Sequence, residues 1–505
     1  MEKNIILWHR RDLRIKDNKA LFQATKITRN VFPVFIIDPI FFTKDRIDCD
    51  DRILFMFECL EDLDEQYQKL GTKLTLLLGD SIDTLNNLSK NLNAKIFYNF
   101  DTNMQIGFTR DKKIKENTNF VGFNNDAILR NVTYNTRLNW DKNCKEYFEY
   151  PVLIPKTKLN KNLIESNTNI NELIKRFQLK KTKIKVPIGG TSQAKIRLEK
   201  FSKQLDLYPK SISKPHLAEL NTSRISAHIS FGCLSTKQVY QYIKKYSSAS
   251  NFAKNFFISR LFWNQHFTQK LEDFPDATHK PINPIFEEND FFKYDKNLSD
   301  AFFQAKTGFP IIDAAIVALK KTGFINFRSR AMLVSFYTLI LRQPFKLGAD
   351  WMHYHLIDAD SAINYQQWQM QSGLIGIHPL RIYNPYKQLL EKDEHLKFIH
   401  EYLPIFKDIK DPQILINLKE NEKLLNKKYK IKLGVDYPNE IVNFEEEMRF
   451  TRAFFKEKTQ QIKEKLFIKE VLKRASLSNK RKTNSKIKES TKTKIKDKKL
   501  GDFFK

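Results

Sequence analysis

Residues 356–373, LIDADSAINYQQWQMQSG, place two acids two apart, Asp358 and Asp360, then an isolated asparagine, Asn364, and an indole, Trp368, in a stretch with no other charge. Carboxylates and amides are costly to bury unless something hydrogen-bonds them. A plain core helix has no use for all four together, so the cluster predicts a polar group held against it. Taken alone, Asn364 also reads as a helix cap and Asp358 as a buried salt-bridge partner. The four cysteines (Cys49, Cys59, Cys144, Cys233) lie far apart, with no C-x-x-C pair and no histidines at ligand spacing, so no metal or cysteine-held cluster is expected.

The elements that must position this cluster fall into blocks. Over residues 1–130 the apolar runs NIILW, VFPVFIID, KLTLLLG and AKIFYNF alternate with amphipathic stretches such as Ile53, Phe57, Leu60, Leu63, Tyr67 and Leu70 at helical spacing. That alternation predicts a Rossmann-like α/β domain with a mainly parallel sheet. No G-x-G-x-x-G follows the first run, so a dinucleotide is not expected in the usual place. Residues 131–200 are polar and rich in Asn and Lys, and read as a long connection between domains. Residues 201–455 carry helical spacing throughout, as in NFFISRLFWNQHFTQKL and RAMLVSFYTLIL, and predict a large all-helical domain. Residues 456–505 read as the end of a terminal helix followed by a basic disordered tail.

The 505 residues are long enough for two or three domains, and 41% hydrophobic content with 41 phenylalanines supplies a globular core. No leader-like segment or run of 18 apolar residues occurs, and the cysteines read as reduced thiols, so a soluble intracellular protein off the membrane is expected. The formal charge of +29 favours a polyanionic partner such as nucleic acid, though a coding bias toward Lys, Asn and Ile accounts for lysine-rich surfaces equally well.

Six pieces in order, WHRRDLRIKDNKAL, TSRISAHISFGCLS (222–235), TGFPIIDAAIVAL (307–319), RSRAMLVSF (328–336), LIDADSAINYQQWQ and RIYNP (381–385), resemble the photolyase/cryptochrome family, over most of residues 1–410. The resemblance is closest to a divergent bacterial-type photolyase branch, and the lack of clustered C-terminal cysteines speaks against the iron–sulfur branch. It implies a helical domain holding FAD and a cavity that faces UV-damaged DNA. By the same resemblance Asp358 pairs with Arg330 beside the flavin ring, Asp360 lies along its edge, Asn364 sits near N5, and Trp368 is the first electron donor. An uncharged amide at N5 suits a repair enzyme, since the plant cryptochromes have an acid there. Thr222, Ser223, Arg224 and Ser226 match the flavin-phosphate segment, where hydroxyls and helix-opening amides suit a pyrophosphate; without the family, the same residues read as a helix N-cap. Tyr208 matches a residue contacting one end of the flavin, Trp263 the tryptophan that stacks on extruded bases, and Arg328 and Arg381 basic positions on the DNA-facing rim, for which a core aromatic and surface salt bridges are the alternatives.

Departures from the family pattern are specific. Met370 stands where the best-known repair enzymes have a second tryptophan, Arg260 where they have a glutamate, and Phe327 where they have an asparagine. The middle tryptophan of the electron chain falls at Phe345, which leaves Trp351, Tyr337, Tyr354 and Tyr383 as candidates for another route. The end DKKLGDFFK resembles a sliding-clamp peptide through Leu500, Phe503 and Phe504, with Asp497 in place of the usual glutamine, and KRASLSNKRK (473–482) reads as a nuclear signal or a DNA tether. An antenna pigment, folate or deazaflavin, accompanies many family members, and no motif selects one. The expectation is a monomeric, blue-light-driven lyase repairing cyclobutane pyrimidine dimers through reduced FAD. The alternatives are a (6-4) photolyase, a cryptochrome-like photoreceptor, and a flavoprotein that binds DNA without repairing it.

Overall fold

The structure is a computed structural model and describes residues 3–464, apart from 44–45, 103–104, 131–138, 156–157, 288–289 and 377–379. The clamp-like end (Leu500, Phe503, Phe504) and the basic tract at 473–482 lie outside the described residues.

Five strands, β1 (Asn4–His9), β2 (Val31–Ile37), β3 (Thr75–Leu78), β4 (Ala94–Asn99) and β5 (Phe120–Phe123), form one parallel sheet in the order β3-β2-β1-β4-β5. Ile5, Ile6, Leu7 and Trp8 of β1 are all buried, because crossover helices cover both faces of such a sheet and leave no polar side for alternation. Helices α1 (Lys19–Ile27), α2 (Asp50–Lys69), α3 (Ser81–Leu92) and α4 (Gln105–Ile114) make the connections. On α2 the buried Ile53, Phe57, Leu60, Leu63 and Tyr67 form the stripe expected from their spacing. The fifth strand, FVGF, carries no sequence signal of its own: it is short, partly buried, and contains Gly122, where a Cβ would lie 2.5 Å from the Phe100 ring.

The stretch read as a connection contains α5 (Trp140–Glu149), α6 (Ile170–Arg176) and α7 (Thr191–Lys203). Trp140, Cys144 and Phe148, spaced four apart, bury against Phe201, Tyr240 and Leu261, so the Asn- and Lys-rich remainder is the outer face of packed helices. The helical region includes α8 (Asn251–Asp273), α9 (Pro310–Thr322), α10 (Phe327–Ser335), α11 (Phe345–His355), α12 (Ser361–Gln371) and α13 (Phe444–Glu464). Its core gathers Phe302, Phe309, Phe336, Tyr337, Trp368 and Phe406. The TGFPIID signature has a structural task here: Asp313 accepts hydrogen bonds from Thr307 N and Oγ1 (3.0 and 2.7 Å), Gly308 N (3.2 Å) and Tyr437 Oη (2.6 Å).

The charge cluster after β1 fastens the two regions together. Arg14 Nη1 donates to Gly232 O at 2.8 Å, Asp17 pairs with Lys237 at 2.8 Å and accepts from Ser235 Oγ at 2.6 Å, and Leu13 N donates to Phe231 O at 3.1 Å. Gly232 permits this approach: its φ is +72°, and a Cβ there would lie 2.1 Å from Arg11 O. Asp12, Arg14 and Asp17 are all buried, and buried charges persist only when paired or hydrogen-bonded.

Candidate functional site

Asp360 starts α12: it is the N-cap, with φ −130°, and its carboxylate accepts from Ile363 N at 3.1 Å. Its other oxygen lies 3.3 Å from Arg11 Nη1, and Arg11 also pairs with Asp101 at 2.8 Å, so the cap is tied to the α/β domain. Asn364 therefore does not cap the helix; it stands one turn in, buried, with its amide nitrogen donating to Ala349 O of α11 at 2.9 Å. That bond turns the amide oxygen the other way.

Trp368, one further turn along the same face, is fully buried and stands edge-on to Tyr337 with ring centroids 5.9 Å apart. Gly348 of α11 makes room for it, since a Cβ there would lie 2.2 Å from Trp368 Cη2. Trp368 Nε1 and both polar atoms of the Gln366 side chain are buried without a hydrogen-bond partner.

Asp358, in the turn before the cap, receives Arg330 Nη2 at 2.9 Å on both oxygens, while Arg330 Nε donates to Ile325 O at 3.0 Å. Burial pushes the Asp358 carboxyl up, but Arg330 and the hydrogen-bonding Ser226 hydroxyl outweigh it and hold the group below the usual carboxylate range. Ser226 opens the short helix Ser226–Ser230, and Ser230 Oγ donates to Ala359 O at 2.6 Å, which stitches this segment to the 358–360 turn. Its N-cap is Ile225, with no side-chain cap bond, so the TSR residues do not serve as that helix's cap. Thr222 bonds back to Ala218 O at 2.8 Å, and Ser223 is half-buried beside it. Arg224 adopts φ +51° and sets its guanidinium 3.8 Å from the Phe324 ring centroid; burial lowers its pKa, with Glu219 and Asp358 acting the other way.

The remaining residues form three further groups. Tyr208 is buried against Phe201, Phe256 and Phe257, and its phenol is pushed up to about 12 by burial, against which the hydrogen-bonded Arg260 acts. The Arg260 guanidinium lies 4.8 Å from the Phe256 ring centroid. Trp263, half-buried on α8, stacks on Phe267 at 5.5 Å and meets His266 edge-on at 5.0 Å. Met370 packs with Phe274, Ala277, Ile282 and Ile375. Arg328 lies over Tyr383 at 5.5 Å, and the Tyr383 and Arg381 backbones meet Ser335 Oγ at 3.1 and 3.5 Å, so both arginines share the corner between α10 and the 381–383 segment.

Arg11, Gln366 and Gln369 escape a reading of motifs. Gln369 clamps the turn beside Met370, donating to Ala277 O (3.0 Å) and Lys280 O (2.6 Å) and accepting from Ile282 N (3.2 Å). For Arg11 the available signal is a dense charge cluster directly after a mostly apolar strand, which places ions at the mouth of a covered sheet, where they need partners.

Two family models match, one described as DNA photolyase over residues 5–125 and one as the FAD binding domain of DNA photolyase over residues 257–457. A deoxyribodipyrimidine photo-lyase of a Synechococcus species is 27% identical, with 83% of this chain and 91% of the relative aligned. A cryptochrome DASH of a Synechocystis species is 23% identical over 89% of this chain and 97% of the relative. The crystal structure of a class III photolyase from Agrobacterium tumefaciens superposes with a TM-score of 0.77 at 23% identity, covering 90% of this chain and 97% of that one. Among the described residues no helix is long and apolar enough to cross a membrane. With an α/β domain and a helical FAD-binding domain both matched, and together spanning more than half its length, the chain belongs to the DNA photolyase/cryptochrome family.

Proposed function

We propose that this chain is a light-driven DNA-repair lyase whose substrate is the cyclobutane pyrimidine dimer. The observation that carries this reading is the half-buried Arg330–Asp358 pair next to a helix face bearing Asn364 and Trp368, with the Trp368 indole nitrogen left unsatisfied inside the protein. Buried polar atoms without protein partners need another source of hydrogen bonds. The donor set fits a flavin: Arg330, Asp358, Asp360 and Asn364 for the ring, Thr222, Ser223, Arg224 and Ser226 for the pyrophosphate, and Tyr208 beyond them. When bound and reduced, FAD supplies a photoexcitable one-electron donor that opens the dimer's cyclobutane ring by breaking two carbon–carbon bonds and then recovers its electron.

The protein's own residues do the rest. The Arg330 guanidinium supplies positive charge beside an anionic ring, and the neutral Asn364 amide tolerates either protonation state of its neighbour, as a carboxylate would not. A dimer reaches such a site only by leaving the base stack. Trp263 offers a π-face to the extruded bases and Met370 a polarizable thioether, while Arg260, Arg328, Arg381 and the net charge of +29 attract the phosphates. The membership of photolyases among the relatives supports this reading, and the neutral residue at position 364, where the plant cryptochromes have an acid, favours it.

The test is blue-light repair of a defined cyclobutane-dimer oligonucleotide by the purified, chemically reduced protein, with a (6-4) oligonucleotide and a dark sample in parallel. Light-dependent loss of the cyclobutane dimer alone is the expected result. Loss of the (6-4) lesion alone would reassign the substrate, and loss of neither, with FAD bound and reduced, would leave a flavin photoreceptor.

A further inference from the structure

The family's tryptophan chain is interrupted at Phe345, yet the rings around Trp368 are not isolated. Tyr337, edge-on to Trp368 at 5.9 Å, lies 4.8 Å from Phe302, tilted by 49°, and stacks on Phe303 at 5.4 Å and 30°. Phe303 in turn stacks on Trp351 at 5.2 Å and 27°, and Phe302 reaches the same indole at 5.8 Å. The other candidates sit elsewhere: Tyr354 meets His355 edge-on at 5.2 Å, and Tyr383 lies under Arg328. Among the described residues neither forms a ring contact with Trp368 or Tyr337.

We infer that Trp351 is the terminal donor of a rerouted electron path to the flavin, running through Phe302 and Phe303 to Tyr337 and Trp368. This rests on the flavin reading above. Tunnelling falls steeply with every gap, and this series of rings is continuous.

Of the two redox-capable rings beyond Trp368, the surroundings favour Trp351 as the place where the vacancy rests. A phenol holds a vacancy only by losing its proton. The Tyr337 hydroxyl is hydrogen-bonded to Ser299 at 3.1 Å, and Ser299 donates to the Gln343 amide oxygen at 2.9 Å, so it faces neutral groups and no base. Burial further raises its pKa to about 12. Trp351 is half-buried on α11, near enough to the surface to release its indole proton to water. Its edge-on neighbour His355, 4.9 Å away, is kept uncharged by burial and by the nearby Lys183 and Lys320, so no imidazolium adds to those ammoniums near the indole. The balance is one electron out of Trp351 and one into the photoexcited oxidised flavin through Trp368. The indole N–H proton passes to solvent; an added thiol then returns one electron, with a proton taken back from solvent, to restore the indole N–H, and the thiol is oxidised to disulfide.

The experiment uses the full chain with oxidised FAD, blue light and dithiothreitol, reading bleaching of the flavin band and the tryptophan radical by transient absorption and electron paramagnetic resonance. W351F is expected to lose the long-lived tryptophan radical and to photoreduce roughly tenfold more slowly or worse, with unchanged flavin content and unchanged repair by chemically reduced protein. Y337F keeps the bridging ring and is expected to retain the radical, and Y354F and Y383F are expected to match the parent. A W351F protein with bound flavin and parental photoreduction would overturn the relay alone; loss of the radical in Y337F would overturn Tyr337 as a bridge. A parent chain that retains no flavin would overturn the flavin reading and the relay with it.

Discussion

Arg330 and Asp358 illustrate what one pair decides. Removing one partner of this half-buried ion pair leaves the other charge poorly compensated, at a cost below the about 3–5 kcal/mol of a fully buried pair. D358N is therefore expected to lower the melting temperature and to lose FAD on dialysis, read as the ratio of flavin to protein absorbance. The pH dependence has a definite sign. Because the Asp358 carboxyl is held below the unfolded value of about 3.9, the unfolded chain takes up a proton there before the folded one does. The pair's contribution is thus complete above that value and disappears as pH falls through the folded pKa. Acid-unfolding curves of the parent and D358N should converge only in strong acid; convergence near neutral pH would contradict the pairing. Gly348 is a second single-residue test. In G348A the new methyl must displace Trp368, at a cost of about 1–3 kcal/mol of overpacking, measurable by denaturant unfolding.

At the scale of the element, α12 depends on a cap that does two things at once. D360A removes the acceptor for Ile363 N, worth about 1 kcal/mol, and also a partner of Arg11, so its loss of stability should exceed that of an ordinary cap variant. R11A in a double-mutant cycle with D360A should be non-additive; simple additivity would show that the bridge contributes nothing. The sequence made α12 visible through the oddity of its polar residues: Gln366, Gln369 and Gln371 are buried alongside Trp368, contrary to an amphipathic pattern. The strands were legible as largely apolar runs because both faces of the sheet are covered, and the pairing of Asp358 with Arg330 followed from the resemblance carried by the motifs of the helical half. β5 was hidden by its brevity, and α5 to α7 by exposed faces rich in Asn and Lys. The Tyr208–Arg260 contact and the ring series from Trp368 to Trp351 were out of reach for another reason: they are set by how helices pack, and local spacing carries no record of that.

For the molecule as a whole, the charge cluster after β1 makes the two regions mutually dependent. Arg14 and Asp17 are buried among partners that include Gly232, Ser235 and Lys237, so separating the regions would expose or orphan several ions at once. Thermal unfolding followed by far-ultraviolet circular dichroism and by tryptophan fluorescence should give one coincident transition. Two resolved transitions would show that the sheet region is stable alone.

The same latch bears on how the protein is made. Domains generally fold as they emerge from the ribosome, N-terminal part first. Here Asp17 must wait for Lys237, 220 positions later in the chain, and Arg11 for Asp360, 349 positions later. The newborn sheet therefore carries ions whose partners have not yet been translated, and its final tightening is postponed until synthesis has passed α12. A ribosome stalled before that point would hold an α/β domain in which Asp17 still lacks Lys237 and Arg11 has, among the described residues, Asp101 as its one carboxylate partner.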